Sequence, residues 1–225
     1  MKNLQNALTL KQLYQLKQIG YRYTNLSPYQ PKVISKNIED INEIDILKDE
    51  ALKCSLCDLS KSRQRVIFGD GYKNADIMFI SNTPNSLQES SNELFIGRGG
   101  EMLANIIERV LLIPKSQIYL THIVKCRPPN NTPITPTEAH SCLSYIRKEI
   151  ELVKPKIIIT LGEEAYNYLM GKESKMEEIR GVPKKMDNYI VVPTLHINSL
   201  LRDKSAKRYV FEDMKLVRRL YKKSH

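Results

Sequence analysis

Residues 154–162 read Lys-Pro-Lys-Ile-Ile-Ile-Thr-Leu-Gly. The isoleucines 157–159 are apolar without alternation, the pattern of a parallel strand covered on both faces. Short apolar runs at 76–80, 118–124 and 189–192 predict companion strands, with 156–161 as the fourth. Helical segments are expected near 100–112, 136–153, 163–170 and 205–221. The second carries a complete start signal. Thr135 can cap, Pro136 suits the first helical position, and Glu138 completes a Thr-x-x-Glu capping box. Its apolar positions, Ala139, Cys142, Leu143, Ile146, Ile150 and Val153, form a helical stripe. Strands alternating with helices predict an α/β sandwich around a parallel sheet. Ligands of such sheets bind at the carboxyl ends of the strands, here 81–85, 122–126, Gly162 and 193–196.

Upstream of this alternation the pattern changes. Residues 5–19 read as a short amphipathic helix, 21–37 as a linker or surface arm, and 43–53 as a further helix. The chain is thus divided into an N-terminal extension, 1–50, and a domain, 51–225. No run is apolar enough to span a membrane and no secretory signal is legible, so a reducing cytosol is the expected compartment. With no long exposed apolar seam, the default is a monomer.

The 225 residues carry a formal charge of +10. Residues 1–50 hold seven basic and six acidic side chains, so nearly all of the surplus belongs to the remainder. It is densest from Arg202 onward, where nine Lys and Arg residues face Asp203, Glu212 and Asp213. Such a surplus suits a polyanion whose phosphates supply sequence-independent affinity, nucleic acid above all.

The four cysteines are Cys54, Cys57, Cys126 and Cys142. The first two form a C-x-x-C. Four thiols with none left over match the ligand count of an iron–sulfur cluster or a Cys₄ zinc site. Buried small side chains and two disulfides are the competing readings, the latter disfavoured in a reducing compartment.

Eight strings carry a family resemblance: Cys-x-x-Cys-x-Leu-Ser (54–60), Val-Ile-Phe-Gly-Asp-Gly (66–71), Ala-Asp-Ile-Met-Phe-Ile (75–80), Phe-Ile-Gly-Arg-Gly-Gly (95–100), Val-Lys-Cys-Arg-Pro-Pro (124–129), Thr-Pro-Thr-Glu-Ala (135–139), the 154–162 run, and Pro-Thr-Leu-His…Leu-Leu-Arg (193–202). From Cys54 to about Arg219 the chain resembles the family 4 uracil-DNA glycosylases, the iron–sulfur members of their superfamily. The resemblance implies a three-layer α/β/α sandwich on a four-stranded parallel sheet. It also implies a 4Fe–4S cluster held by Cys54, Cys57, Cys126 and Cys142 that pins DNA-contacting loops.

The active-site positions depart from the family pattern. Its first motif, Gly-Glu-Ala-Pro-Gly, is here Ser81-Asn82-Thr83-Pro84-Asn85. Asn85 can keep a left-handed turn, and Ser81 replaces a glycine beside the base. Asn82 can orient a water but cannot take its proton. Glu89 falls where the family has an acidic residue and is a substitute base, against the plainer reading of an exposed loop glutamate. His122 stands where the family has an asparagine that reads the base edge. A neutral imidazole likewise offers one donor and one acceptor, in a different geometry. Phe95 occupies the base-stacking position, and Thr83 lies in the base-binding motif. His196 matches the histidine that donates to the departing base. Leu200 and Leu201 are expected to wedge into the base stack, with Arg202, Lys125, Arg127 and Arg98 on DNA.

The resemblance implies a monofunctional DNA glycosylase that excises uracil or another deaminated base after flipping it out of the helix. The alternatives are a DNA-binding relative with weak or no excision, supported by the altered first motif, and a glycosylase shifted to a purine such as hypoxanthine or xanthine, supported by His122.

Overall fold

The computed structural model describes residues 37–223. The helix expected at 5–19 and nearly all of the arm at 21–37 lie outside these residues. In chain order the strands are β1 (Asp70–Gly71), β2 (Ile77–Ser81), β3 (Ile118–His122), β4 (Ile157–Leu161), β5 (Lys184–Lys185) and β6 (Ile190–Thr194). The α-helices are α1 (Ile44–Leu52), α2 (Leu59–Ser62), α3 (Ser86–Ser91), α4 (Gly97–Ile106), α5 (Pro136–Val153), α6 (Glu163–Met170), α7 (Met176–Ile179), α8 (Ile197–Arg202) and α9 (Lys207–Lys223). A π-helical turn, Ile107–Leu111, extends α4.

One sheet has the order β1-β3-β2-β4-β6-β5. The four inner strands are mutually parallel, as expected. The expected four-strand count needs correction. Two-residue strands add an antiparallel edge on each side, β1 on β3 and β5 on β6. Both are too short to show periodicity, and β5 is the pair Lys184-Lys185, whose charges suit a sheet edge.

The isoleucine run behaves as its composition demands. Ile157 and Ile159 pack into one apolar cluster with Phe79, Leu120, Leu103 and Val110. Ile158 points the other way, into a cluster with Met78, Ile80, Ala139, Cys142 and Ile146. Side chains alternate across a strand, so an unbroken apolar run is stable only when helices cover both faces. Here α4, its π turn and α9 cover one face, while α5 and α6 cover the other. The Thr135 capping box forms as predicted: its hydroxyl accepts from Glu138 N–H, and the Glu138 carboxylate accepts from Thr135 N–H.

The division at residue 50 falls inside α1. Ile41, Leu47 and Ala51 are buried in a third apolar cluster with Phe68 and Tyr145, so 38–52 are part of the packed domain. Its turns flank a single apolar helical face, which on sequence alone resembles a detachable extension.

Candidate active site at the strand ends

The expected strand ends meet. Ser81 and His122 end neighbouring strands and are register partners. With Leu161, Thr83 and His196 they line a small cavity of about 60 Å³. Gly162, after β4, has φ +95° and lies against His196: a β-carbon there would stand 3.3 Å from His196 Cβ. Glycine both permits the turn and keeps the histidine close.

His196 caps α8. Its Nδ1 accepts from Asn198 N–H at 3.1 Å, and its Nε2 lies 3.1 Å from Ser81 Oγ. An accepting Nδ1 places the proton of a neutral ring on Nε2. The ring therefore offers an N–H to the cavity, met in the free protein by Ser81. Burial, then the nearby Arg202, holds His196 below its ordinary pKa, which favours this neutral donor.

His122 is fully enclosed, and neither ring nitrogen has a hydrogen-bond partner. Desolvation first, then Lys125 and His196, push its pKa down to about 3. A neutral ring with an unused donor and an unused acceptor thus faces a cavity. Unpaired buried polar groups cost on the order of 1–3 kcal/mol, so the arrangement is poised for a complementary polar edge.

The first motif is rebuilt rather than eroded. Asn85 does not adopt the expected left-handed turn. Its backbone is extended, and it caps α3 in a capping box with Gln88. Asparagine is a good N-cap, so the former glycine position is filled at a gain. Asn82 donates its Nδ2 to Glu164 Oε2, while its Oδ1 is buried without a partner. Glu164 was not singled out in the sequence. The available signal was its place in the first turn after the Gly162 strand end.

Several expected contacts are redirected. Glu89 is buried, not an exposed loop residue. Its carboxylate accepts from Gln64 N–H at 3.0 Å and pairs with Arg127 at 3.3 Å, so it is occupied in holding two loops together. Arg127 is correspondingly half-buried and also donates to Asn131. Lys125 is not on the surface. It is buried against Glu149 and donates to Thr121 Oγ1 and to the His122 carbonyl, supporting the pocket floor. Phe95 is not in the cavity wall, where Leu94 stands instead; the Lys115 ammonium lies 5.3 Å from its ring centre. Gly100 packs on the Phe95 backbone, where a β-carbon would come within 2.3 Å.

Leu200 is buried, whereas Leu201 and Arg202 are exposed. The helix α8 spans two sites. Ile197 and Asn198 line the cavity, while Leu200 and Leu201 line a groove of about 530 Å³ with Arg98, Arg109, Lys207 and Phe211. Its cations and apolar side chains suit a phosphate backbone and unstacked bases.

The four cysteines are free thiols. Cys54 acts electrostatically on Cys57, Cys126 and Cys142. Arg63 joins two of their loops, donating to Cys126 Sγ at 3.3 Å and to the Cys54 carbonyl at 2.6 Å. Burial raises the thiols of Cys57 and Cys126 and pushes Cys142 up to about 12. Among the described residues no group of three or more His, Cys, Asp or Glu side chains is placed to hold a single metal ion. A zinc needs its sulfurs about 2.3 Å from one point. A multi-iron cluster sits between more widely spaced sulfurs, and the cationic Arg63 suits thiolate ligands.

The sequence profile of the uracil DNA glycosylase superfamily matches residues 68–215. The type-4 uracil-DNA glycosylase of Saccharolobus solfataricus is 33% identical over 186 residues, covering 79% of this chain and 86% of the relative. The chain belongs to the type-4 uracil-DNA glycosylase family. Two further type-4 uracil-DNA glycosylases agree. That of Thermotoga maritima is 32% identical over 184 residues, covering 80% of this chain and 95% of its own length. That of Sulfurisphaera tokodaii is 31% identical over 188 residues, covering 80% and 86%. Among the described residues no helix is long and apolar enough to cross a membrane.

Proposed function

We propose that this type-4 family member is a DNA glycosylase that excises uracil from DNA in repair. The observation that carries the reading is the pocket itself: the Nε2–H donor of His196 and the unpartnered ring of His122 face one cavity at the strand ends. DNA lies along the groove beside α8, Leu201 enters the stack, and the target nucleotide turns into the pocket. His122 pairs with the base edge. As the glycosidic bond breaks, negative charge grows on the base. His196 meets it with a preorganised neutral donor, worth roughly 3 kcal/mol. Ser81 releases that donor when the base arrives. Stacking by Phe95 requires its ring to turn toward the cavity, whose wall it does not form in the free protein.

Cys54, Cys57, Cys126 and Cys142 would hold a 4Fe–4S cluster. When bound, it ties the segments around the pocket together and takes no part in hydrolysis. The protein would act as a monomer in the cytosol.

A second reading changes only the base. His122 and Ser81 replace the asparagine and glycine of the family pattern, which favours a shifted preference among deaminated bases. One assay addresses both. Purified protein is incubated with oligonucleotides carrying uracil, hypoxanthine or xanthine, and abasic sites are then cleaved with alkali. Breaks at uracil are expected, with a His196→Ala variant at least about 100-fold slower while DNA binding persists. Breaks confined to a purine support the second reading. Intact strands throughout, with binding retained, overturn both and leave a non-cleaving DNA binder.

A further inference from the structure

The first motif lacks the carboxylate that would accept a proton from the attacking water, and an amide stands in its place. We propose that Glu164, delivered from α6, is that base, and that it works with Asn82 as one water-activating pair. The inference rests on the glycosylase reading above and deepens it.

Three observations converge. Asn82 Nδ2 donates to Glu164 Oε2, so a carboxylate is held against the amide. Asn82 Oδ1 is buried without a protein partner; an unused acceptor is a seat for a water proton. The pair also adjoins the reaction centre along the chain, although neither side chain forms part of the cavity wall. Asn82 follows Ser81, whose hydroxyl meets His196, while Glu164 is two residues beyond Gly162, which packs on His196. The strand ladder fixes this geometry past its end, because Ile123 N–H donates to Ser81 O and Val124 N–H to Asn82 O. Glu89 cannot serve equally, since both of its oxygens are engaged by Gln64 and Arg127.

The step balances without a co-reactant. A water held on Asn82 Oδ1 adds through oxygen to C1′ of the flipped nucleotide. The C1′–N bond breaks, and its electron pair leaves with the base. One water proton passes to the Glu164 carboxylate. The base anion, held by His196 Nε2–H, takes its proton later from solvent. The products are the free base and an abasic sugar.

Glu164→Gln separates catalysis from support, because glutamine can still accept from Asn82 but cannot take a proton. Single-turnover excision of uracil should slow about 100-fold, with DNA affinity and melting temperature close to wild type. Glu164→Asp should recover part of the rate. Adding Asn82→Asp to Glu164→Gln exchanges acid and amide across the pair, and should restore at least about tenfold of the loss. An unchanged rate in Glu164→Gln overturns the proposal, as does a loss that neither Glu164→Asp nor the exchange relieves. Wild-type protein that releases none of uracil, hypoxanthine and xanthine fails the glycosylase reading and this one together. Wild-type cleavage with an unaffected Glu164→Gln variant fails this one alone.

Discussion

His122 shows how a single side chain can carry both a liability and a selection rule. The ring is enclosed, its pKa is pushed down to about 3, and both nitrogens are unpaired. Because the folded pKa lies below the ordinary value of about 6.5, the unfolded chain binds the extra proton first. Stability from this group is complete above pH 6.5 and is lost as pH falls toward 3, with a slope of up to about 1.4 kcal/mol per pH unit. Urea unfolding between pH 7 and 4 should show a shallower acid limb in His122→Asn than in wild type. An identical limb would mean that the ring does not resist protonation. The resemblance alone places this residue at the base-reading position. What sequence could not show was that nothing in the protein satisfies it, because hydrogen-bond vacancies depend on what packs above a strand end. Lys125 illustrates the converse. A lysine beside a cysteine in a basic chain reads as a phosphate contact, and only the fold reveals Glu149 on the neighbouring helix.

The helix α8 illustrates what local pattern can and cannot deliver. Leu200 and Leu201 are adjacent and chemically identical, yet a helix turns about 100° per residue and sends them to different surroundings. Leu200 lies in the core with Val210 and Met214, and Leu201 remains in the open groove. Leu200→Ala should therefore cost roughly 2–5 kcal/mol in unfolding free energy. Leu201→Ala should leave stability within about 0.5 kcal/mol but slow excision from duplex more than from single strands. Chemical denaturation paired with excision assays on both substrates checks the contrast. The long elements were legible for the opposite reason. In α5 the cap, the proline and the apolar stripe all agree, and the structure begins and ends where they indicate. The edge strands β1 and β5, two residues each, carry no period to detect.

At the scale of the molecule, the sheet orders the strand ends from behind, through two apolar layers. The four thiols are drawn from positions 54 to 142. If they hold a 4Fe–4S cluster, protein prepared without oxygen should be brown with broad visible absorption and contain about four irons per chain. Cys57→Ala should bleach it and lower the melting temperature. A colourless wild type containing zinc would remove the cluster from the account. The resemblance supplied this ligand set, since spacing alone left zinc and simple burial open. The fold adds Arg63, a cation that bridges two cysteine loops.

One consequence of α8 remains. Six residues make less than two turns. Ile197 and Asn198 at its start wall the cavity, and the Asn198 N–H holds the His196 imidazole, while Leu201 near its far end lies in the open groove. If DNA occupies that groove as proposed, a push on Leu201 would reach the backbone that aims Nε2, and intrusion into the duplex would be coupled to alignment of the leaving-group donor.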